Sequence, residues 1–245
     1  MNLTDILKGA LGVYRRHPGT LFLVAAPTIP LGLATVLVIR SLPDSWLLSM
    51  LVLPVVLVIP QYLPTAALVR AVADGLEGTP PEFRRSYAAA FSRLVPIVLA
   101  ALRLGIVVQA LFIIIVGIPL AVYFMVRWLF FQQAIMLEDM RAGEGLKRSG
   151  NIVSGSWWRV AGVVLVITII SAAPSIFLGF ASGIAAFTGT PGGFGGIGLL
   201  SPLSAVSAAA TSVIGALVSP FTVGAQTILF LDLRWRRTVA AVALA

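Results

Sequence analysis

Charge is what this sequence has least of. Asp, Glu, Lys and Arg make up 11% of it, against about a quarter in soluble domains. It contains no cysteine, which removes disulfides and thiolate metal sites. It contains one histidine, His17, and the neighbouring Pro18 and Gly19 place that residue in a turn, where a solvated position is expected rather than a catalytic one. Nine carboxylates, most of them at the ends of apolar runs, complete the ionisable set. No Ser-His-Asp set, zinc-type spacing or phosphate-binding loop follows from these residues, so the expectation is a protein without catalytic activity, cofactor or metal. The glycine-rich GTPGGFGGIG stretch is no exception, since no strand precedes it and no lysine follows. The apolar runs also lack period-2 alternation, which excludes a transmembrane barrel.

What the sequence does have is hydrophobic length. Its 245 residues are 59% hydrophobic, with a mean hydropathy of +1.02. In lipid every backbone polar group needs an internal partner, so long apolar runs without alternation predict helices. The expected fold class is therefore all-α, a polytopic membrane bundle forming one domain over residues 1–245. Six transmembrane helices are predicted at about residues 21–39, 46–69, 95–116, 120–137, 159–180 and 203–231. Residues 95–137 are read as a hairpin broken at Gly117-Ile118-Pro119, because one helix of that length would reach roughly 60 Å, twice a hydrocarbon core.

The hairpin also sorts the charge. Lys8, Arg15 and Arg16 precede the first span, and Arg70, Arg84, Arg85 and Arg93 follow the second. Arg141, Lys147, Arg148 and Arg159 follow the fourth, and Arg234, Arg236 and Arg237 follow the last. Those are 14 of the 17 basic residues, and all fall on one face. The positive-inside rule makes that face cytoplasmic, with both termini on it, in the plasma membrane of a prokaryotic cell. The net charge of +8 is thus a membrane signature, and no nucleic-acid partner is expected. Amphipathic spacing predicts cytoplasmic interfacial helices near residues 3–15, 83–93 and 142–154. The uncharged, glycine-rich segment from Ala181 to Pro202 is expected to be an extracytoplasmic loop.

Polar groups inside the spans are where chemistry would sit. Arg103 and Arg127 are expected roughly 12–15 Å deep on adjacent antiparallel helices, where a charge needs a partner. One reading makes them a bidentate clamp for a lipid phosphate. The other is structural: they cap carbonyls freed by proline, snorkel, or pair with Glu138, Asp139 or Asp232. Gln61, with Pro54, Pro60 and Pro64 around it, lies in a span expected to be broken, as the first is at Pro27 and Pro30. Gln132 and Gln133 are read as interhelical hydrogen-bond formers. Ser204, Ala208, Ser212 and Ala216 recur every four residues, a small-residue ridge suited to burial in the bundle or to an oligomer seam.

One resemblance is carried by Gly117-Ile118-Pro119, Arg127, IMLED with Glu138, GLKRSGNIVSGSWWRV and LFLDLRWRR. These segments resemble the membrane domain of glycerophosphoryl diester phosphodiesterases, with matching positions at Leu146, Lys147, Arg148, Ser149, Gly155, Trp158, Asp232, Arg234 and Arg236. Gly145 stands where that family has alanine, Val153 takes its hydrophobic position one residue late, and Phe230 replaces a tyrosine. The resemblance implies a six-helix domain that in some members precedes a phosphodiesterase barrel, which has no counterpart in these residues. Glu138, Lys147, Arg148, Asp232 and Arg234 are then candidate partner-binding or structural polar residues. The functional expectations are a non-enzymatic membrane protein that binds lipid or amphiphile headgroups or presents them to a separate enzyme, a membrane scaffold that recruits a partner, or a small-solute transporter.

Overall fold

The computed structural model describes residues 2–41, 46–113, 117–188 and 202–243; side chains are described except at 35–41, 46–60, 113, 178–179, 181–188, 202–208 and 240–243. Helix is the only regular element among the described residues. The chain runs α1 (Leu3–Arg16), α2 (Pro18–Ala25), α3 (Thr28–Ser41), α4 (Trp46–Leu76), α5 (Phe83–Ser92), α6 (Leu94–Ile113), α7 (Gly117–Arg127), α8 (Phe131–Glu138), α9 (Ala142–Val153), α10 (Trp157–Thr188) and α11 (Pro202–Ala243). Among the described residues four segments are long and apolar enough to cross a membrane: Leu94–Phe112, Gly117–Glu138, Trp157–Phe177 and Ala209–Val239. A fifth is added if α1 and the helix after it count as one span, but they bend by 94° at His17. Of the first two expected spans, residues 35–39 and 46–60 lie outside the described side chains.

The predicted hairpin is present, with Gly117-Ile118-Pro119, read as its break, forming instead the first turn of α7. α6 packs along α7 and α8, and Arg93 just before α6 pairs with Asp139 just after α8. Three expectations change. α4 is continuous through Pro54, Pro60 and Pro64, so the second span is not broken, whereas α2 and α3 do part at Ala26–Pro27. The fourth span is broken where continuity was expected, at Trp128–Phe130 between α7 and α8. Finally, α10 stays helical to Thr188, so the first eight residues of the expected extracytoplasmic loop belong to a helix.

The three amphipathic segments are helices, and each buries its apolar face in the bundle. α1 buries Ile6, Ala10 and Val13 and packs along α11, while Tyr87 of α5 donates a 3.0 Å hydrogen bond to the Val24 carbonyl of α2. α9 is the most enclosed, with seven of its twelve residues buried against α6, α7, α8 and α11. Gly145 makes that approach possible: a Cβ there would lie 2.7 Å from Cγ1 of Ile135 on α8. The alanine expected at this position would push the helices apart. The small-residue ridge of α11 is spent within the chain where it is described. A Cβ on Gly32 of α3 would sit 2.8 Å from the Ser212 hydroxyl, and Ala216 is fully buried. Ser204 and Ala208 lie outside the described side chains.

Candidate functional site

Ion pairs tie the helix ends of the basic face together. Arg148 holds Glu138 with two hydrogen bonds, 2.7 and 3.0 Å, and Arg234 approaches the same carboxylate at 3.4 Å. That bidentate bond raises the pKa of Arg148 above its ordinary value. Asp232 faces Arg236 at 3.0 Å and Arg159 at 3.8 Å. Asp74, only 1% exposed, contacts Arg70 at 2.9 Å and Arg85 at 3.9 Å, an ionic contact without aligned hydrogen bonds. Lys147 is exposed. Glu138, Arg148, Asp232 and Arg234 therefore act together as a clamp on α8, α9, α10 and α11.

Arg103 and Arg127 are not brought to one site. The Arg103 guanidinium lies against Gly143, and that of Arg127 against Gly150. Those glycines are seven residues, roughly 10 Å, apart on α9. Arg127 donates a 2.8 Å hydrogen bond to the Tyr123 hydroxyl and stands 5.8 Å from that ring's centre. The Tyr123 carbonyl accepts the Trp157 indole N–H at 3.3 Å, which puts Arg127, midway along the candidate span Gly117–Glu138, near the first turn of α10. Nor does Arg127 share a continuous helix face with Glu138, because the chain breaks between them.

That break is held by Ser149, which the sequence reading matched to a family position without giving it a role. Ser149 of α9, fully buried, accepts the Phe130 N–H at 3.0 Å and donates to the Arg127 carbonyl at 3.0 Å. Both groups would bond along the chain in an unbroken helix. In an apolar interior nothing else is at hand to take their place.

Above this layer the helices line a half-open cavity of 480 Å³. α8 contributes Gln132, whose amide donates to the Tyr62 carbonyl and the Thr65 hydroxyl of α4, each at 3.0 Å. α4 adds Gln61 one turn before Thr65. From the other side, Ser219, Thr222 and Gln226 recur along one face of α11, and Ser171 of α10 meets the Thr222 hydroxyl at 2.7 Å. Pro220 lacks the N–H that would reach the Ala216 carbonyl, and the Ser219 hydroxyl supplies a 3.3 Å bond in its stead. Leu104, Met125 and Leu129 line the apolar side, and Met125 is 46% exposed on the outer surface. No charged residue is among the described residues that line the cavity. Gln132 is six residues from Glu138, Thr65 nine from Asp74, Thr222 ten from Asp232 and Ser171 twelve from Arg159, so the polar wall stands roughly 9–18 Å from the charged layer, within the depth of a hydrocarbon core.

Residues 47–233 match the family model described as a domain of unknown function, DUF7847. The chain belongs to that family. No curated protein and no solved structure matches it. Every cavity-lining residue, from Gln61 to Gln226, falls within the DUF7847 match, as do Arg148 and Glu138. Sequence reasoning found Gln61 and Gln132 and missed Thr65, Ser171, Ser219, Thr222 and Gln226. The signal was there: polar residues spaced three and four apart mark one face of an apolar helix.

Proposed function

We propose that this DUF7847 protein is an integral membrane protein of six passes with both termini cytoplasmic, which binds an amphiphile with an uncharged polar headgroup and catalyses no reaction itself. The observation that carries the reading is the composition of the cavity wall: three glutamines and several hydroxyls, with no carboxylate, histidine, lysine or arginine among the described lining residues. A charged headgroup would be desolvated there without a counter-charge, while a hydroxylated or amide headgroup finds both donors and acceptors. The volume of 480 Å³ suits one small headgroup, and the exposed Met125 beside Leu104 marks a side from which an acyl tail extends into lipid. The Ser171–Thr222 hydroxyl pair has no general base in the cavity wall, so the site is read as one for binding.

A second reading keeps the phosphate of a lipid at Arg127. It is favoured by that guanidinium having a phenol and no carboxylate among its described partners. The resemblance to phosphodiesterase membrane domains supports either reading through presentation of a lipid to a separate enzyme.

Gln226 tests the first reading, because its amide makes no hydrogen bond among the described residues and its loss leaves the packing intact. Native mass spectrometry of the purified protein is expected to show one neutral amphiphile retained by the wild type and lost from Gln226→Leu. An identical complement of bound neutral lipid in both proteins would refute the cavity as the site.

A further inference from the structure

A second cavity, of 420 Å³, lies at the opposite, basic end of the bundle, where the α9–α10 connection meets the last turns of α11. Ser154, Gly155 and Ser156 form one wall and Arg236 and Arg237 the other, with Ile152 and Leu233 behind them. Gly155 takes a φ of +80°, which reverses the chain so that both flanking serines line the cavity. Arg237 donates to the Ser154 carbonyl and, at 3.0 Å, to its hydroxyl, so its guanidinium is pinned at the rim and has no carboxylate partner among the described residues. Arg236 spends Nε on Asp232 at 3.0 Å, and its two terminal amino groups have no acceptor among the described residues. With Arg159 also at Asp232, two guanidiniums share that carboxylate, and Arg237 stands beside them.

The place of the cavity speaks to its ligand. It sits just before the span Trp157–Phe177 and at the end of the span Ala209–Val239. Trp158, 84% exposed, and Trp235, 67% exposed, project from the same turns, and exposed indoles of this kind settle at the boundary between lipid and water. A surplus of fixed guanidiniums with free forked donors, two serines and a boundary position fit a phosphate oxyanion.

We propose that this cup binds the phosphate group of an anionic phospholipid, a site distinct from the central cavity and independent of what that cavity holds. Free inorganic phosphate offers the same oxygens, and the experiment separates the two sources. The full chain is placed in nanodiscs of zwitterionic lipid containing a minor fraction of phosphatidylglycerol, and lipid retention is read by native mass spectrometry. Wild type is expected to retain one phosphatidylglycerol with an affinity about tenfold above Arg236→Gln, the loss that follows when a charge-assisted hydrogen bond is removed. Arg236→Lys should fall between them, since it keeps the charge and loses the fork. Should Arg236→Gln lower the unfolding temperature, Ser156→Ala, which touches no ion pair, carries the same comparison with a smaller loss. If millimolar inorganic phosphate displaces the lipid, the cup recognises phosphate itself and free phosphate is an equal ligand. If it does not, the lipid is the ligand. Equal phosphatidylglycerol retention in wild type, Arg236→Gln and Ser156→Ala overturns the proposal.

Discussion

Replacing Ser149 with alanine removes one oxygen and leaves two main-chain groups without this partner. The Phe130 N–H and the Arg127 carbonyl both bond to that hydroxyl at 3.0 Å, and Ser149 is fully buried, so water cannot substitute. Each buried unpaired group costs about 1–3 kcal/mol, which bounds the effect at about 2–6 kcal/mol before relaxation. Relaxation is available: α7 and α8 could fuse, with the Phe130 N–H turning to the Val126 carbonyl and the Phe131 N–H to that of Arg127. Fusion would take the Phe131 N–H from its present bond to Trp128, at 3.2 Å, and rotate α8. Gln132 would then leave Tyr62 and Thr65, giving up two more hydrogen bonds. A net loss of about 2–4 kcal/mol is expected. Reversible unfolding in mixed micelles measures it, with Ser92→Ala as the control, because the exposed Ser92 hydroxyl reaches only the Ala89 carbonyl of its own turn. A Ser149→Ala protein within about 0.5 kcal/mol of that control would show that the break is set by the rest of the packing, and the reasoning above would be wrong.

Topology is checked by reporter fusions at Gly192 and at Ala245, which the basic asymmetry puts on opposite sides of the membrane; a common side would refute six passes with cytoplasmic ends. Burial of Tyr87 on α5 raises its pKa from 10.0 to about 12. A group whose folded pKa is raised contributes stability present below its unfolded value and lost as pH rises through the folded one. Stability should therefore fall between pH 10 and about 12, and alkaline titration of Tyr87→Phe should show a shallower fall over that window. At Arg127, lysine keeps the charge but loses the planar fork, so anionic lipid retention should drop while the fold survives; leucine should be near neutral for stability, since no carboxylate among the described residues depends on this guanidinium. Unchanged lipid retention in both variants would leave Arg127 a packing residue against Tyr123 and Gly150.

Hydropathy alone was enough to establish the class of this protein. Apolar runs leave the backbone no partner but itself, so helices follow from composition, and the pairing of α6 with α7 and α8 as a hairpin follows from length. Amphipathic spacing likewise located α1, α5 and α9, because a helix must put its apolar stripe somewhere. What that stripe meets is not written in its own spacing. α9 lies buried among four helices because Gly145 admits Ile135, a contact between segments that only the fold brings together. The α7–α8 break has the same origin: nothing in YFMVRWLFFQQ calls for an interruption, and it exists because Ser149 arrives from another helix to satisfy the freed groups. The proline-rich α4 shows the converse, a continuous helix where local rules favoured a broken one. For the candidate site, the sequence determined which polar residues lie inside apolar helices. Tertiary packing decided which of them share a cavity, drawing Gln61, Gln132 and Gln226 together and leaving Arg103 and Arg127 against Gly143 and Gly150 of α9, because an uncharged amide finds partners across helices, as Gln132 does at Tyr62 and Thr65.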